Sequence, residues 1–257
     1  MNKFIKKVSS SSSYLWIILA FNLTAIAMAI IWAIVQKESP IEYFEETEIM
    51  TLLSSLQLLI LSGLCWKIAN YRKQASSQRK SWKSPVNLWR MMTFGFVFLA
   101  LDDYFEIHEK TDHFIHWILD IQETAVTDRI DDIILISYSV IGSYFIYSFW
   151  YEFKQYRPAF RFFIGAFILT AIMGVFDWYN NDETLVQYWI TNPQYQELVY
   201  DCLQTVEESL KLIAEGVFIS AFSVCLNLAK QMSDLAQQQR KIDCEMEHSQ
   251  PEIFQNR

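Results

Sequence analysis

Residues 14–35 read YLWIILAFNLTAIAMAIIWAIV, an apolar run without a single charged side chain. A helix rises about 1.5 Å per residue, so about 20 such residues cross a hydrocarbon core about 30 Å thick. Further apolar segments follow along the chain, and their length favours helices over strands. The sequence therefore predicts an all-α fold, a polytopic membrane bundle of six transmembrane helices. The predicted spans are Tyr14–Val35, Thr47–Asn70, Leu88–Leu101, Ile130–Phe153, Phe160–Tyr179 and Val206–Ala229.

The third span, Leu88–Leu101, is the shortest of these segments. It reaches the length of a membrane crossing only if the acidic stretch Asp102–Glu109 continues the same helix towards the far interface. We therefore expect one continuous helix through this stretch.

The composition narrows the class of protein. Hydrophobic residues make up 52% of the chain. Charged residues make up 19%, below the fraction of about a quarter that is typical of soluble domains. This balance excludes a disordered chain and an ordinary soluble domain. The 21 Lys and Arg against 29 Asp and Glu exclude a nucleic-acid binder that relies on positive charge. The expected partner is the lipid bilayer.

The distribution of basic residues predicts the orientation, because cytoplasmic loops of membrane proteins are enriched in Lys and Arg. With the N-terminus in the cytoplasm, all 21 basic residues except Lys37, Lys110, Arg129 and Lys211 fall on the cytoplasmic side. Both termini are then cytoplasmic. The predicted organisation is a cytoplasmic segment at residues 1–13, a transmembrane domain at 14–229 and a cytoplasmic tail at 230–257 that forms a frayed helix.

The first span also resembles a secretory signal peptide, since lysines precede it and Ala25–Ala27 imitates a small-residue cleavage site. Its apolar run continues to Val35, well past the roughly 7–15 residues of a signal-peptide core. We therefore expect an uncleaved first helix. Cleavage would leave five spans in the same orientation.

The four cysteines do not predict a disulfide framework. In this topology Cys65 and Cys225 lie towards the cytoplasmic ends of their helices, and Cys244 lies in the tail. Only Cys202 falls on the outer side, so it has no partner there.

A cluster of ionisable residues begins at the end of the third span, where residues 101–116 read LDDYFEIHEKTDHFIH. On a continuous helix, one set of acids and histidines recurs at steps of four, three, four and three residues, which places it on one face. This set is Asp102, Glu106, Glu109, His113 and His116. Asp103 and His108 project beside it. Asp112 is expected to be a solvated surface residue, as most acids in outer segments are.

The last span opens with further acids, Glu207 and Glu208, followed by Lys211 and Glu215. Glu208, Lys211 and Glu215 share a helix face, and Glu215 lies about 10 Å deeper than Glu208. A charge at that depth is costly unless it is paired or hydrated. Lys211 and Glu215 are therefore expected to form either a structural ion pair or part of a conducting path.

Carboxylates and imidazoles on adjacent helices suit a divalent metal ion, either zinc or an iron or manganese pair. The known motifs are incomplete, however. Helical di-iron proteins use Glu-x-x-His, whereas Glu109 has Asp112 at the third following position. No HExxH zinc motif occurs in the chain.

Two short motifs carry a family resemblance. Leu101-Asp102-Asp103, followed after four residues by His108-Glu109, resembles an L-D-E-x4-H-E motif. Val206-Glu207-Glu208-x-Leu210 resembles an E-E-x-L motif on the last helix. Both recur in a widespread group of uncharacterised bacterial multi-pass membrane proteins. The resemblance implies a bacterial inner-membrane location and a central group that faces the periplasm, formed by Asp103, His108, Glu109, Glu207 and Glu208.

This sequence departs from the family pattern at two positions. Asp103 replaces the Glu of the first motif, and Lys211 stands where a further acid is expected. If these acids hold a cation, the ammonium of Lys211 would either reduce the positive charge that they require from it or abolish binding.

Three functions remain open from the sequence. In the first, the central group binds a divalent metal ion whose bound water acts on a lipid-linked or envelope substrate. Glu106 or Asp102 would then be the general base, with His113 and His116 as alternative ligands. In the second, a titratable path for protons or cations, which needs no catalytic metal, is formed by Asp102, Glu106, Lys211 and Glu215. In the third, the protein is a non-catalytic envelope scaffold or sensor.

Overall fold

The computed structural model of the chain describes residues 2–44, 48–75, 82, 84–120, 130–180, 186 and 188–248. Its ordered elements are helices, and the described residues include no strand. The helices are α1 (Asn2–Gln36), α2 (Ile49–Ala75), α3 (Pro85–Phe105), α4 (Ile107–Leu119), α5 (Ile130–Ser148), α6 (Trp150–Phe153), α7 (Phe160–Asn180) and α8 (Pro193–His248). Two 3-10 segments, Pro40–Tyr43 and Lys154–Ala159, lie between α1 and α2 and between α6 and α7.

Within the described residues, four helical stretches are long and apolar enough to cross a membrane, so the chain has the character of a membrane protein. They are Tyr14–Gln36, Ile49–Ala75, Trp150–Tyr179 and Pro193–Met246. The helices at the predicted third and fourth spans are not both long and apolar enough to join this group. In α5 the apolar stretch Ile133–Ser148 is shorter, and α3 contains Arg90, Asp102 and Asp103.

The expectation that the third span continues as one helix to Glu109 is wrong. Helix α3 ends at Phe105, and Glu106 adopts a left-handed backbone conformation with φ 51° and ψ 47°. Helix α4 begins at the next residue. The predicted stripe is therefore divided, because the left-handed residue turns the chain between Asp102 on α3 and the acids and histidines of α4.

Helix α8 is the central element of the bundle and packs against α1, α2 and α7. Its 56 residues correspond to about 84 Å at 1.5 Å per residue, more than twice the thickness of the hydrocarbon core. The predicted last span, Val206–Ala229, is thus the middle of a longer helix. The tail from Gln231 continues that helix to His248 and is not frayed over this range.

Two charged networks lie at opposite ends of the bundle. One contains Lys211, and we call this the acidic end. The other contains Arg72, which donates to Sδ of Met232 on α8 at 3.3 Å, and we call it the Arg72 end. Lys211 and Met232 are separated by about 31 Å along α8, close to the thickness of a hydrocarbon core. The networks therefore lie where two membrane interfaces would fall.

At the Arg72 end, one buried carboxylate joins several elements. Nη2 of Arg72 on α2 is 2.7 Å from Oε2 of Glu152 on α6. Trp89 on α3 donates from Nε1 to Oε1 of Glu152 at 3.1 Å, and the hydroxyl of Tyr156 donates to the same oxygen at 3.1 Å. Gln155 adds a longer contact of 3.3 Å. A buried charge needs such partners, and this one ties together α2, α3 and the turn before α7.

An apolar layer separates the two ends. Phe222 of α8 is buried, and its ring meets those of Trp89, Phe96 and Phe163 edge-on at centroid distances of 5.2–6.2 Å. Leu61 of α2 is fully buried in the same core. The large apolar side chains exposed on α1, α5 and α7 form the outer surface, as expected where lipid surrounds the helices.

Candidate functional site

Lys211 lies at the centre of a charged cluster at the acidic end. Its Nζ is 2.5 Å from Oδ1 of Asp103 on α3 and 3.1 Å from Oε2 of Glu208, one turn earlier on α8. The Ser55 hydroxyl of α2 donates to Oδ2 of Asp103 at 3.1 Å. Three helices therefore meet around one ammonium group. Side-chain exposure falls from 27% for Glu208 and 26% for Lys211 to 9% for Asp103, so the cluster leads inward from solvent.

Glu215 lies one turn beyond Lys211, about 6 Å deeper along α8. The residue is 7% exposed, and the Ser54 hydroxyl of α2 donates to its Oε1 at 2.8 Å. Its Oε2 is buried and has no hydrogen-bond partner among the described residues. A buried polar atom without a hydrogen-bond partner is costly, so such atoms are few, and among the described side chains Arg72 Nε, Asp112 Oδ1 and His116 Nε2 share this condition. Lys211 forms its ion pairs with Asp103 and Glu208.

Two amide side chains extend the polar interior next to Glu215. Asn22 of α1 donates from Nδ2 to the backbone oxygen of Leu212 at 2.7 Å and to Oε1 of Gln57 at 3.3 Å. Gln57 of α2 donates back to Oδ1 of Asn22 at 3.2 Å. Each amide satisfies the other, so these groups hold α1 and α2 against α8 at the depth of the buried acid.

Asp102 and His108 form a second pair at the break between α3 and α4. Oδ1 of Asp102 accepts the backbone N–H of His108 at 2.9 Å, and its Oδ2 is 3.1 Å from the His108 Nδ1. This carboxylate therefore accepts one of the first-turn N–H groups of α4. Glu109, whose Oε1 is 3.8 Å from Nε2 of His108, is more exposed. The predicted base Asp102 thus uses both oxygens to hold the break in place.

Asp112 and His116 form a third pair on α4, and sequence reasoning missed the acid. Asp112, assumed to be solvated because acids usually lie on surfaces, is only 5% exposed. Its Oδ1 is 2.9 Å from Nδ1 of His116, which is also buried. His113, by contrast, points outward and is exposed.

The remaining predicted residues lie at the edges of these groups. Glu106 occupies the left-handed position between α3 and α4, and its Oε2 is 3.9 Å from Nζ of the exposed Lys110. Glu207 is half-buried on α8, beside Glu208.

The loop between α1 and α2 lies at the same end as the cluster. The Ser39 hydroxyl donates to Oδ2 of Asp201 on α8 at 2.5 Å. The Tyr43 hydroxyl donates to Oε2 of Glu38 at 2.5 Å, and this hydrogen bond raises the pKa of Tyr43 to about 12. These contacts hold the loop near the exposed side of the cluster.

The predicted metal ligands do not converge on one point. Asp103 and Glu208 contact Lys211, whereas His108 is bound to Asp102 on the other side of the helix break. Over the part of the chain that the structure describes, no group of three or more His, Cys, Asp or Glu side chains is arranged to hold a metal ion. The described geometry does not support metal binding.

Several polar residues of the cluster carried no motif in the sequence. Ser54, Ser55 and Gln57 of α2 all face the acidic end, and Asn22 of α1 joins them. A signal was available, because polar residues inside an apolar span tend to face the bundle interior. Their hydrogen-bond partners lie on other helices, however, and the sequence does not show how each helix is rotated about its axis in the bundle.

Comparison with known proteins places the chain in a family. The model of a domain of unknown function, DUF8692, matches residues 13–226. No curated protein and no solved structure matches the chain. The matched range includes the whole Lys211 cluster and the Arg72–Glu152 pair.

Proposed function

We propose that this chain, which belongs to the DUF8692 family of domains of unknown function, is a multi-pass protein of the bacterial inner membrane that moves protons. The protons cross either alone or in exchange for another cation. Their path leads from the acidic end through the Lys211 cluster to Glu215. The observation that carries this proposal is the buried carboxyl of Glu215, with one oxygen held by Ser54 and the other without a partner.

The arrangement of charges fits stepwise proton transfer. Glu208, the most exposed acid of the cluster, is placed to exchange protons with water. The positive charge of Lys211 lies 2.5 Å from the largely buried carboxylate of Asp103 and offsets its negative charge. The carboxylate of Glu215 then accepts the proton. This transfer removes a negative charge from an apolar surrounding, where charge is costly.

The proposal includes six spans with both termini in the cytoplasm. Helix α3 has 21 residues and α5 has 19, which correspond to about 32 Å and about 29 Å. Both lengths match a hydrocarbon core of about 30 Å. The acidic end then faces the periplasm and the Arg72 end faces the cytoplasm, in agreement with the distribution of Lys and Arg.

Proton flux into proteoliposomes tests the proposal. Purified full-length protein is reconstituted with a pH-sensitive dye inside, and a pH gradient is imposed. We expect faster acidification than in protein-free liposomes. Glu215→Gln, which keeps the shape of the side chain but cannot exchange a proton, is expected to reduce the rate to the protein-free level.

Glu197→Gln provides a matched control, because Glu197 is an exposed acid on the same helix. We expect this variant to retain the wild-type rate. Wild-type flux equal to that of protein-free liposomes would contradict the proposal and favour the scaffold or sensor function. A Glu215→Gln rate equal to that of the wild type would remove Glu215 from the path.

A further inference from the structure

We infer that the Arg72–Glu152 ion pair is a gate that closes the path at the Arg72 end. This inference rests on the proposed function, because a path needs an exit and the structure gives the two ends opposite characters. At the acidic end, the side chains of Lys211 and Glu208 remain about one quarter exposed. At the Arg72 end, the side chain of Glu152 is 3% exposed and that of Arg72 is 12% exposed.

The barrier between Glu215 and the Arg72 end is closely packed and mostly apolar, and the buried hydroxyls of Ser62, Thr93 and Ser220 within it donate to backbone oxygens. Leu61, Cys65 and Ile68 of α2 and Cys225 of α8 are 0% exposed. Phe222 lies two turns beyond Glu215 on α8 and is held by aromatic rings from α3 and α7. Because these hydroxyls are already bonded to the backbone and the apolar side chains around them offer no hydrogen bonds to water or ions, the path is closed there.

The ion pair is mechanically connected to that barrier. Trp89 donates its N–H to Glu152, and the same indole ring packs edge-on against Phe222 at 6.2 Å and Tyr156 at 5.1 Å. Tyr156 in turn donates to Glu152. Release of Glu152 would therefore free the two aromatic side chains that complete the layer.

The guanidinium of Arg72 does not make all of its possible hydrogen bonds, as expected of a contact that opens. Nη2 of Arg72 binds Glu152 and Nη1 meets Met232, but Nε is buried without a hydrogen-bond partner among the described residues. A buried N–H without a partner costs free energy, so the closed state is less favourable than a fully satisfied network would make it. Separation of the pair would let that N–H reach water.

The native cysteines report the opening directly. Cys65 lies seven residues before Arg72 on α2, and Cys225 lies seven residues before Met232 on α8, so each is about 10 Å inside the gate. Both are fully buried, whereas Cys202 and Cys244 are exposed. In a Cys202→Ser/Cys244→Ser background, a water-soluble thiol reagent reaches the remaining cysteines only when the barrier opens.

The test is the labelling rate of Cys65 and Cys225 in the purified full-length protein, followed by intact mass. We expect slow labelling in the background protein and at least tenfold faster labelling in Glu152→Gln, which removes the charge that holds Arg72. The double variant Arg72→Gln/Glu152→Gln leaves no unpaired buried charge. It replaces the single variant in the labelling test if the single variant does not fold. We expect the same acceleration there.

Lys211→Gln is the matched control, because it removes the cation of the partly exposed charged cluster at the other end. We expect Cys65 and Cys225 to stay protected in this variant. Equal labelling in the background protein and both Glu152 variants would overturn the gate. Equal acceleration in Lys211→Gln would also overturn it, because the effect would then be a general loosening of the bundle.

The outcomes separate this inference from the proposed function. The labelling test does not depend on flux, and the flux test compares Glu215→Gln with the wild type while Glu152 is unchanged in both. Loss of flux in Glu215→Gln together with unchanged labelling in the Glu152 variants would retain the path and remove this gate.

Discussion

Gly216 shows how a single residue sets the position of the candidate path. A Cβ atom at this position would lie 2.8 Å from Nδ2 of Asn22 and 2.8 Å from Cγ2 of Ile18, both on α1. Asn22 cannot move away freely, because its Nδ2 donates to Leu212 on α8. The missing side chain of Gly216 therefore lets α1 approach α8 beside Glu215, as small residues do in membrane bundles.

We expect Gly216→Ala to lower the thermal unfolding temperature of the protein in detergent. Either the hydrogen bonds of Asn22 or the packing of Ile18 must give way, at a cost of about 1–3 kcal/mol. Gly63→Ala is the control, since a Cβ there meets nothing within 4 Å. Its unfolding temperature should stay the same or rise, because Ala is favoured over Gly in helices by about 1 kcal/mol. Equal unfolding temperatures for the two variants would contradict the close approach.

At the scale of the elements, the break between α3 and α4 depends on the backbone of Glu106. Its positive φ is a conformation that glycine adopts easily and that β-branched residues rarely adopt. The side chain of Glu106 contributes little to stability, because its ion pair with the exposed Lys110 is long, at 3.9 Å.

We therefore expect Glu106→Val to lower the stability of the protein by about 1 kcal/mol or more, whereas Glu106→Gly retains or raises it. Glu106→Gln isolates the loss of charge and should resemble the wild type. Thermal unfolding in detergent measures all three. Equal unfolding temperatures for Glu106→Val and Glu106→Gly would contradict the role of the left-handed backbone at this position.

The elements also show which parts of the fold the sequence could predict. The run at 14–35 predicts its helix because uncharged apolar length is a sufficient condition for a membrane crossing. The turn at Glu106 has no such signal, since a left-handed residue other than Gly or Asn leaves no mark in the hydrophobic pattern. Likewise the length of α8 exceeds its apolar stretch, because the polar tail continues the helix without a breaking residue.

The site was predictable to a similar extent. Depth along one helix follows from the sequence, so Glu215 could be recognised as a buried acid. The partner of Lys211 could not be recognised, because Asp103 and Ser55 belong to helices whose rotations are set by packing. Asp112 was misjudged for the same reason, since its burial depends on how α4 lies against its neighbours.

At the scale of the whole molecule, the two charged networks lie about one membrane thickness apart along α8, and the exposed cysteines Cys202 and Cys244 flank them. We expect a membrane-impermeant maleimide to label Cys202 in right-side-out vesicles and Cys244 in inside-out vesicles. The buried Cys65 and Cys225 provide the internal control. Labelling of both exposed cysteines from one side would contradict the proposed topology.

The central claim is that a proton-exchanging carboxyl lies at the buried end of the Lys211 cluster. The most direct test compares proton flux in proteoliposomes containing Glu215→Asp, which keeps a carboxyl on a side chain one methylene shorter, and Glu215→Gln, which keeps the length of the side chain but replaces the carboxyl by an amide. Our account predicts that the Asp variant keeps a measurable part of the wild-type rate while the Gln variant falls to the protein-free level. Equal rates in the two variants would contradict it.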